Sequence, residues 1–202
     1  MDVIQVFIDY RNSIGDRMPL YKSVTDTFEI QRALYPGSHV DIMPSFVIPS
    51  VIYMDSFKGT IEFFKKMEII RGYVETNKAY YKDLEITFIE GDYNLKYDIQ
   101  PVDLIISQFA GFVGQATKAY LKVGGILLCN DSHGDATLAY CDSDYEFVGV
   151  VNANGIIDTE NLEKYFKFAR SRDIDLEKVR KTMKGPNYKT KADNYIFRKN
   201  RT

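Results

Sequence analysis

Short apolar runs that alternate with longer amphipathic segments constrain this chain more than any other feature of its sequence. Six runs rich in Val, Ile, Leu and Phe lie at Ala33–Tyr35, Val51–Met54, Ile86–Ile89, Val102–Ile106, Ile126–Cys129 and Phe147–Val151. Runs of this length without polar alternation indicate strands buried on both faces, as in a parallel sheet wrapped by helices. A further apolar stretch, Tyr195–Phe197, predicts a seventh strand.

The segments between the runs predict helices. Their spans are about residues 2–14, 59–80, 111–122, 159–170 after an N-cap at Asp158, and 176–184 before Gly185–Pro186. Apolar residues recur on one face of the segments 59–80 and 111–122, and Gly followed by Pro ends a helix. We therefore expect an α/β fold: a doubly wound, mostly parallel seven-stranded sheet with helices on both faces. Ligands of such sheets bind beyond the carboxyl ends of the strands, where the strand order reverses.

Length and composition narrow the class of protein. A chain of 202 residues with 45% hydrophobic residues suits a single domain, residues 1–202, with residues 1–29 as an N-terminal helical extension. A net charge of −2 gives no bulk attraction to nucleic acid, so we do not expect nucleic acid as a partner. Without a secretory signal pattern or an apolar run of about 20 residues, we expect a cytoplasmic protein with no membrane partner.

Polar and aromatic residues gather where the apolar runs end. They are Tyr35-Pro36-Gly37-Ser38 after the first run, Asp55-Ser56 after the second, Glu90-Gly91-Asp92-Tyr93 after the third, Ser107-Gln108-Phe109 after the fourth and Asn130-Asp131-Ser132-His133 after the fifth. Because parallel strands end at the same edge of a sheet, this arrangement predicts a ligand-binding edge.

Five motifs in order carry a resemblance to a known family. They are a glycine turn in LYPGS, an acidic end in VIYMD, the corner FIEGDY, the strand PVDLIIS and the glycine pair in LKVGGILLCND. From about residue 30 to residue 200 the chain thus resembles the class I, Rossmann-like S-adenosylmethionine-dependent methyltransferases, most specifically between Asp103 and Asp131. The first turn departs from the family's G-x-G-x-G pattern, because Gly37 stands there alone beside Pro36.

The resemblance implies S-adenosylmethionine as the cofactor. The residues it assigns to cofactor binding are Tyr35, Gly37, Ser38, Asp55, Ser56, Gly91, Asp92, Tyr93 and Ser107. A carboxylate at Asp55 can accept both ribose hydroxyl protons, and Asp92 beside Tyr93 would lie at the adenine. Turn and capping roles for the same residues stay open, because Gly, Asp and Ser favour turns for conformational reasons.

A cluster after the fifth run suggests catalytic residues. If the chain stays extended there, Asp131, His133 and Asp135 point to one side, and His133 could act as a general base oriented by Asp131. A polar turn with an exposed histidine is the alternative. We expect no metal, because catechol-type members of the family bind magnesium through an Asp at the position of Ser107.

The function implied by the resemblance is methyl transfer to a small-molecule substrate that enters near Ser107–Phe109 and His133. The sparse glycine turn and the lack of a familiar catalytic motif favour an alternative, a catalytically inactive methyltransferase-like domain that serves as a binding or regulatory module. A dinucleotide-dependent oxidoreductase is a third reading, disfavoured because the G-x-G-x-x-G turn is missing.

Overall fold

One mixed sheet organises residues 2–201, which the computed structural model describes. Its strands are β1 (Arg32–Pro36), β2 (Ser50–Asp55), β3 (Glu85–Glu90), β4 (Val102–Ser107), β5 (Leu121–Cys129), β6 (Tyr145–Val151), β7 (Ile157–Asp158) and β8 (Asn194–Lys199). All seven predicted strands are confirmed. The predicted number is wrong by one, because the two-residue β7 pairs with the end of β6 and adds an eighth strand.

The strand order is β3-β2-β1-β4-β5-β8-β6-β7. The strands from β1 to β5 pair in parallel, whereas β8 runs antiparallel between β5 and β6. The chain winds outward to β3 on one side of β1 and continues from β4 on the other. The strand order therefore reverses between β1 and β4, and a ligand site is expected at their carboxyl ends.

The helices are shorter than the sequence predicts. They are α1 (Val3–Ile14), α2 (Met18–Phe28), α3 (Lys58–Phe64), α4 (Met67–Asn77), α5 (Val113–Ala116), α6 (Asp135–Tyr140) and α7 (Leu176–Thr182). The N-terminal helix and the helix near residues 176–184 are confirmed, and a side chain caps the N-terminus of each. Asp2 accepts from the backbone N–H groups of Ile4 and Gln5, and Asp175 accepts from that of Lys178. Helices α2 and α6 were not predicted.

The helix predicted at residues 159–170 is wrong. Only a short 3-10 turn forms, at Leu162–Lys164, and the expected N-cap Asp158 lies in β7. Phe166 is buried among aromatic side chains with a φ of +55°. A left-handed residue of this kind cannot sit inside a right-handed helix, so burial of the aromatic side chains overrides the helical pattern.

Two other helical predictions hold only in part. The segment 59–80 divides into α3 and α4, with a break at Lys65–Lys66. The segment 111–122 shrinks to α5 and a 3-10 turn at Lys118–Tyr120, because β5 already begins at Leu121. Both differences are local, and neither changes the order of the strands.

Both faces of the sheet are covered, as predicted. Ala33 and Tyr35 of β1 pack on the face that carries α1, α2 and α4, whereas Leu34 packs on the opposite face with α6 and an aromatic cluster. Residues 1–29 were predicted as a helical extension, and the described part holds α1 and α2. The ends of the predicted domain, Met1 and Thr202, lie outside the described residues. No helix within residues 2–201 is long and apolar enough to cross a membrane.

Candidate functional site

A cleft of about 230 Å³ lies at the carboxyl ends of β1, β2 and β3. We call it the β1–β3 cleft. It is lined by Gly37, Asp55, Ser56, Gly91, Asp92, Tyr93 and Asn94. The structure therefore brings together six of the residues predicted to bind the cofactor, from three separate segments of the chain. Asn94 is the lining residue that the sequence analysis did not single out.

Asp55 ends β2 and holds two neighbouring segments in place. Its Oδ2 atom accepts a 2.9 Å hydrogen bond from the backbone N–H of His39, and its Oδ1 atom accepts one of 2.8 Å from the N–H of Phe57. A carboxylate has about four acceptor positions, so these two bonds leave capacity for a ligand. The capping role and the ligand role proposed for Asp55 are thus compatible.

Asp92 stabilises the turn after β3. Its Oδ1 atom accepts from both the backbone N–H of Asn94 at 2.9 Å and the side-chain amide at 2.8 Å. The Oδ2 atom takes part in neither bond. The hydroxyl of Tyr97 donates to the main-chain oxygen of Asp92 at 3.1 Å, and a β-carbon on Gly91 would collide with that hydroxyl. The glycine therefore allows Tyr97 to close over the turn.

The loop after β4 packs directly against the turn after β1. Gly37 adopts a φ of +63°, and a β-carbon at this position would collide with the methyl group of Ala110. Tyr93 donates a 2.7 Å hydrogen bond from its hydroxyl to the Ala110 carbonyl. The residues on either side are left-handed, with φ of +58° at Phe109 and +96° at Gly111. For a non-glycine residue such as Phe109 this conformation is strained, and such strain clusters at functional sites.

Tyr35, Ser38 and Ser107 do not line the cleft. Tyr35 is fully buried, and its hydroxyl donates to Asp41 at 3.2 Å. Ser38 is also buried and donates to the carbonyl of His39. The hydroxyl of Ser107 donates to the carboxylate of Asp135 at 2.6 Å. The cofactor contacts predicted for these three residues remain predictions, since none of the three faces the cleft in this conformation.

A buried ion pair lies beneath the turn after β1. Asp41 accepts from the hydroxyls of Tyr21 at 2.9 Å and Tyr35 at 3.2 Å, and from Arg17 Nη1 at 3.3 Å. The backbone N–H of Met43 adds a fourth bond at 3.1 Å. Burial raises the pKa of Asp41, and the guanidinium of Arg17 opposes that shift. The network anchors the segment between α1 and α2 to the base of the site.

The expectation of an extended chain after Asn130 is wrong, because the chain turns and α6 begins at Asp135. Both oxygens of Asp131 are directed to Thr137, each at 2.8 Å, whereas the His133 Nδ1 atom lies 3.0 Å from the hydroxyl of Ser132. The structure does not bring the Asp131 carboxylate onto the histidine ring. A catalytic role for His133 and Asp131 stays a prediction, and the geometry of this turn does not add to it.

The Asp135 carboxylate is enclosed behind β4. It accepts from the hydroxyl of Ser107 at 2.6 Å and from the backbone N–H of Gly114 at 2.9 Å. Burial raises the pKa of Asp135 to about 6, and burial likewise raises that of Asp131 to about 6. Burial therefore favours the protonated form of both carboxylates, which hold the loop after β4 and the start of α6.

A chain of buried amides crosses the carboxyl edge of the sheet. Asn130 donates to Gln108 Oε1 at 3.2 Å, and Gln108 Nε2 donates to Asn194 Oδ1 at 2.7 Å. All three residues are buried. The sequence places Gln108 and Asn130 at strand ends, but Asn194 was missed. It starts β8, and the antiparallel direction of β8 carries its first residue to the edge where the parallel strands end.

The strand order, with an antiparallel final strand between β5 and β6, defines a class I, Rossmann-like methyltransferase fold. The chain is similar to the plantazolicin methyltransferase BpumL in complex with SAH, with a TM-score of 0.56, 11% identity, and coverage of 98% of this chain and 89% of that chain. It is also similar to a methyltransferase from Geobacter sulfurreducens, with a TM-score of 0.52, 14% identity, and coverage of 78% of this chain and 86% of that chain. Neither a protein-family model nor a curated protein sequence matches the chain. At these identities the likeness is one of fold.

Proposed function

We propose that this protein is an S-adenosylmethionine-dependent methyltransferase that acts on a small molecule. One observation carries the proposal. Asp55 stands at the end of β2 in a cleft that also contains Asp92 and Tyr93, at the edge where the strand order reverses. In sheets of this kind a carboxylate at the end of the second strand accepts hydrogen bonds from ribose hydroxyls.

The residues of the β1–β3 cleft fit the adenosine part of the cofactor. Asp55 retains acceptor positions for two ribose hydroxyls. The free Oδ2 atom of Asp92 is available to the adenine amino group, and the ring of Tyr93 forms a wall beside the base. When bound, the cofactor would supply an electrophilic methyl group on its sulfonium. The task of the protein is then to align the acceptor atom with that methyl.

The amino-acid part of the cofactor requires a different position of the loop after β4. The methyl group of Ala110 occupies the space over Gly37, and the cleft of about 230 Å³ is smaller than the roughly 300 Å³ at which small-molecule pockets usually begin. We infer that residues 109–111 move away from Gly37 when the cofactor enters. The strained φ of Phe109 and the permissive Gly111, which stand on either side of Ala110, support this movement.

The contact between Ala110 and Gly37 also favours the second candidate function, an inactive binding module. A domain in which Ala110 never leaves Gly37 would accept a nucleoside but not a nucleoside joined to an amino acid. Adenosine and S-adenosylhomocysteine therefore distinguish the two functions, because they share the adenosine part and differ in the part that Ala110 blocks.

The test is a calorimetric titration of both compounds. A methyltransferase should bind S-adenosylhomocysteine more tightly than adenosine, whereas the inactive module should bind adenosine alone. Asp55→Asn should weaken both compounds by about tenfold or more, because hydrogen bonds to a charged group contribute about 1.5 kcal/mol or more. The matched control is Asp26→Asn, which removes a carboxylate paired with Lys22 on the surface of α2.

Asp55→Asn also alters the acceptor of two hydrogen bonds, from the backbone N–H groups of His39 and Phe57. The thermal unfolding of this variant is therefore measured in parallel, to separate a loss of stability from a loss of binding. Asp92→Asn provides a second variant that keeps an oxygen for the Asn94 turn. If the unaltered protein binds neither compound, the proposed function is wrong.

A further inference from the structure

A second cleft lies on the other side of the loop after β4. We call it the β4–β8 cleft. It has a volume of about 390 Å³, and its walls come from the turn between α1 and α2, from Gln108 and Phe109 after β4, and from Asp193 and Asn194 at the start of β8. Phe109 lines this cleft, whereas its neighbour Ala110 contacts Gly37 of the β1–β3 cleft. Two consecutive residues therefore separate the two clefts.

The wall at β4 and β8 is polar and rigid. Gln108 and Asn194 are each 6% exposed and are joined by a 2.7 Å hydrogen bond in which the Asn194 oxygen is the acceptor. Asn130 holds the other end of Gln108 at 3.2 Å. The Asn194 oxygen already accepts a hydrogen bond from Gln108, so the Nδ2 group is the part of this amide that can donate to a ligand. A buried amide fixed by other amides is the kind of group that orients a small polar molecule.

An aromatic ring also lines the β4–β8 cleft. Phe109 is 60% exposed although it is large and apolar, and it is held there with a φ of +58°. The guanidinium of Arg17 lies 5.5 Å from the centre of its ring. The remaining surface of the ring is open to a planar ligand, because aromatic rings pair at centroid distances of about 4.5 to 7 Å.

The charges around the cleft are balanced with one exception. Asp16 pairs with Arg11 at 2.7 Å, and Arg17 pairs with Asp41 at 3.3 Å. Asp193 accepts a 3.2 Å hydrogen bond from the backbone N–H of Ala153, and it has no ion pair within residues 2–201. Asp193 is therefore the carboxylate of this cleft that is available to a cation.

We propose that the β4–β8 cleft binds the methyl acceptor and that the acceptor is a small aromatic amine. Its ring lies on Phe109, its ammonium group lies at Asp193, and a ring hydroxyl accepts from the Asn194 amide. An ammonium group has no lone pair, so the hydroxyl oxygen would take the methyl group as its bond to the cofactor's sulfur breaks, and the hydroxyl proton would leave to water. This inference rests on the proposed function and adds the chemical class of the substrate. Phe109 and Asp193 are specificity-determining residues in this arrangement.

The test compares two probes that share one ring. Tyramine and 3-(4-hydroxyphenyl)propanoate both carry a 4-hydroxyphenyl group on a two-carbon chain, but the first is a cation and the second is an anion. In calorimetric titrations, with and without S-adenosylhomocysteine, tyramine should bind about tenfold more tightly. Asp193→Asn should bring the two affinities to within about twofold, and the surface control Asp173→Asn should leave the preference unchanged.

Two further measurements separate ring binding from charge. Phe109→Ala should weaken both probes by about fivefold, because an aromatic pair is worth roughly 1 kcal/mol. The preference of the unaltered protein for tyramine should shrink as salt rises, which tests the charge even if Asp193→Asn is unstable.

The outcomes distinguish this inference from the proposed function. Equal affinities would show that Asp193 does not select a cation, and tighter binding of the anion would indicate that Arg17 sets the charge preference. Either result would overturn the inference. A protein that binds S-adenosylhomocysteine but neither probe would also overturn it. Preferential binding of tyramine without any binding of S-adenosylhomocysteine would support the cleft as an amine site and count against methyl transfer.

Discussion

The hydroxyl of Tyr93 donates a 2.7 Å hydrogen bond to the carbonyl of Ala110 and so joins the turn after β3 to the loop after β4. The same loop rests on Gly37 through the Ala110 methyl group. Three strand ends are thus linked through one residue. If the proposed function is right, movement of Ala110 would connect the described conformation to one able to hold a whole cofactor.

Tyr93→Phe should speed the association of S-adenosylhomocysteine by about fivefold. The ring stays in place, but the loop loses a hydrogen bond worth roughly 1 kcal/mol and opens more often. Stopped-flow tyrosine fluorescence can follow binding, because the chain has 15 Tyr and no Trp. Tyr73→Phe, on the α4 side of the core, is the control and should not change the rate. An unchanged rate in Tyr93→Phe would show that this bond does not restrain the loop.

Gly37→Ala should destabilise the protein more than Gly124→Ala. Both glycines have positive φ, +63° and +81°, but an added β-carbon collides with Ala110 at position 37 and meets open space at position 124. Backbone strain alone costs about 1 to 2 kcal/mol, and overpacking adds about 1 to 3 kcal/mol at Gly37. Urea unfolding measures both variants. Equal losses would mean that Ala110 does not rest on Gly37.

Arg17→Met should lower the free energy of unfolding by about 3 kcal/mol, because it leaves Asp41 buried without a cation. Arg11→Met removes an exposed pair with Asp16 and should cost less than about 1 kcal/mol. Adding Asp41→Asn to Arg17→Met should recover part of the loss, since the buried group is then neutral. Chemical denaturation of the three variants gives the comparison, and a double variant no more stable than Arg17→Met would contradict it.

Asp135 should make the protein less stable as the pH rises from about 4 to about 6. Burial raises its folded-state pKa from 3.8 to about 6, so the folded state binds the proton more tightly than the unfolded state in this window. Stability then falls with rising pH, by about 2 to 3 kcal/mol for a shift of this size.

Asp135→Asn removes the titration and keeps an amide that can pair with Ser107 and Gly114. Relative to the unaltered protein, this variant should therefore gain stability between pH 4 and pH 7. Urea unfolding at a series of pH values measures the difference. A constant difference would show that Asp135 does not titrate in this range.

The sequence was sufficient to predict seven of the eight strands within residues 2–201, and the convergence of Gly37, Asp55 and Asp92. Buried parallel strands consist of local apolar runs, and the rule that their carboxyl ends share an edge needs no knowledge of side-chain packing. Side-chain direction was harder to predict. Tyr35 follows the alternation of β1 onto the face that carries α2, where its hydroxyl meets Asp41 and not the cleft.

The remaining errors come from contacts between distant segments. Asp131 accepts from Thr137 because α6 starts at Asp135, and no local pattern marks that start. Asn194 reaches the ligand edge only because β8 runs antiparallel between β5 and β6. Sequence periodicity identifies a strand, but its direction and its neighbours depend on the tertiary fold.

The position of β8 also bears on how the chain folds during synthesis. β5 and β6 do not pair with each other, and each pairs with β8, which lies at residues 194–199. After the ribosome has made residue 151, both strands keep an open edge until β8 emerges, and open edges invite aggregation. Chaperones that shield unpaired strands should therefore associate with nascent chains in this interval and leave when β8 closes the sheet.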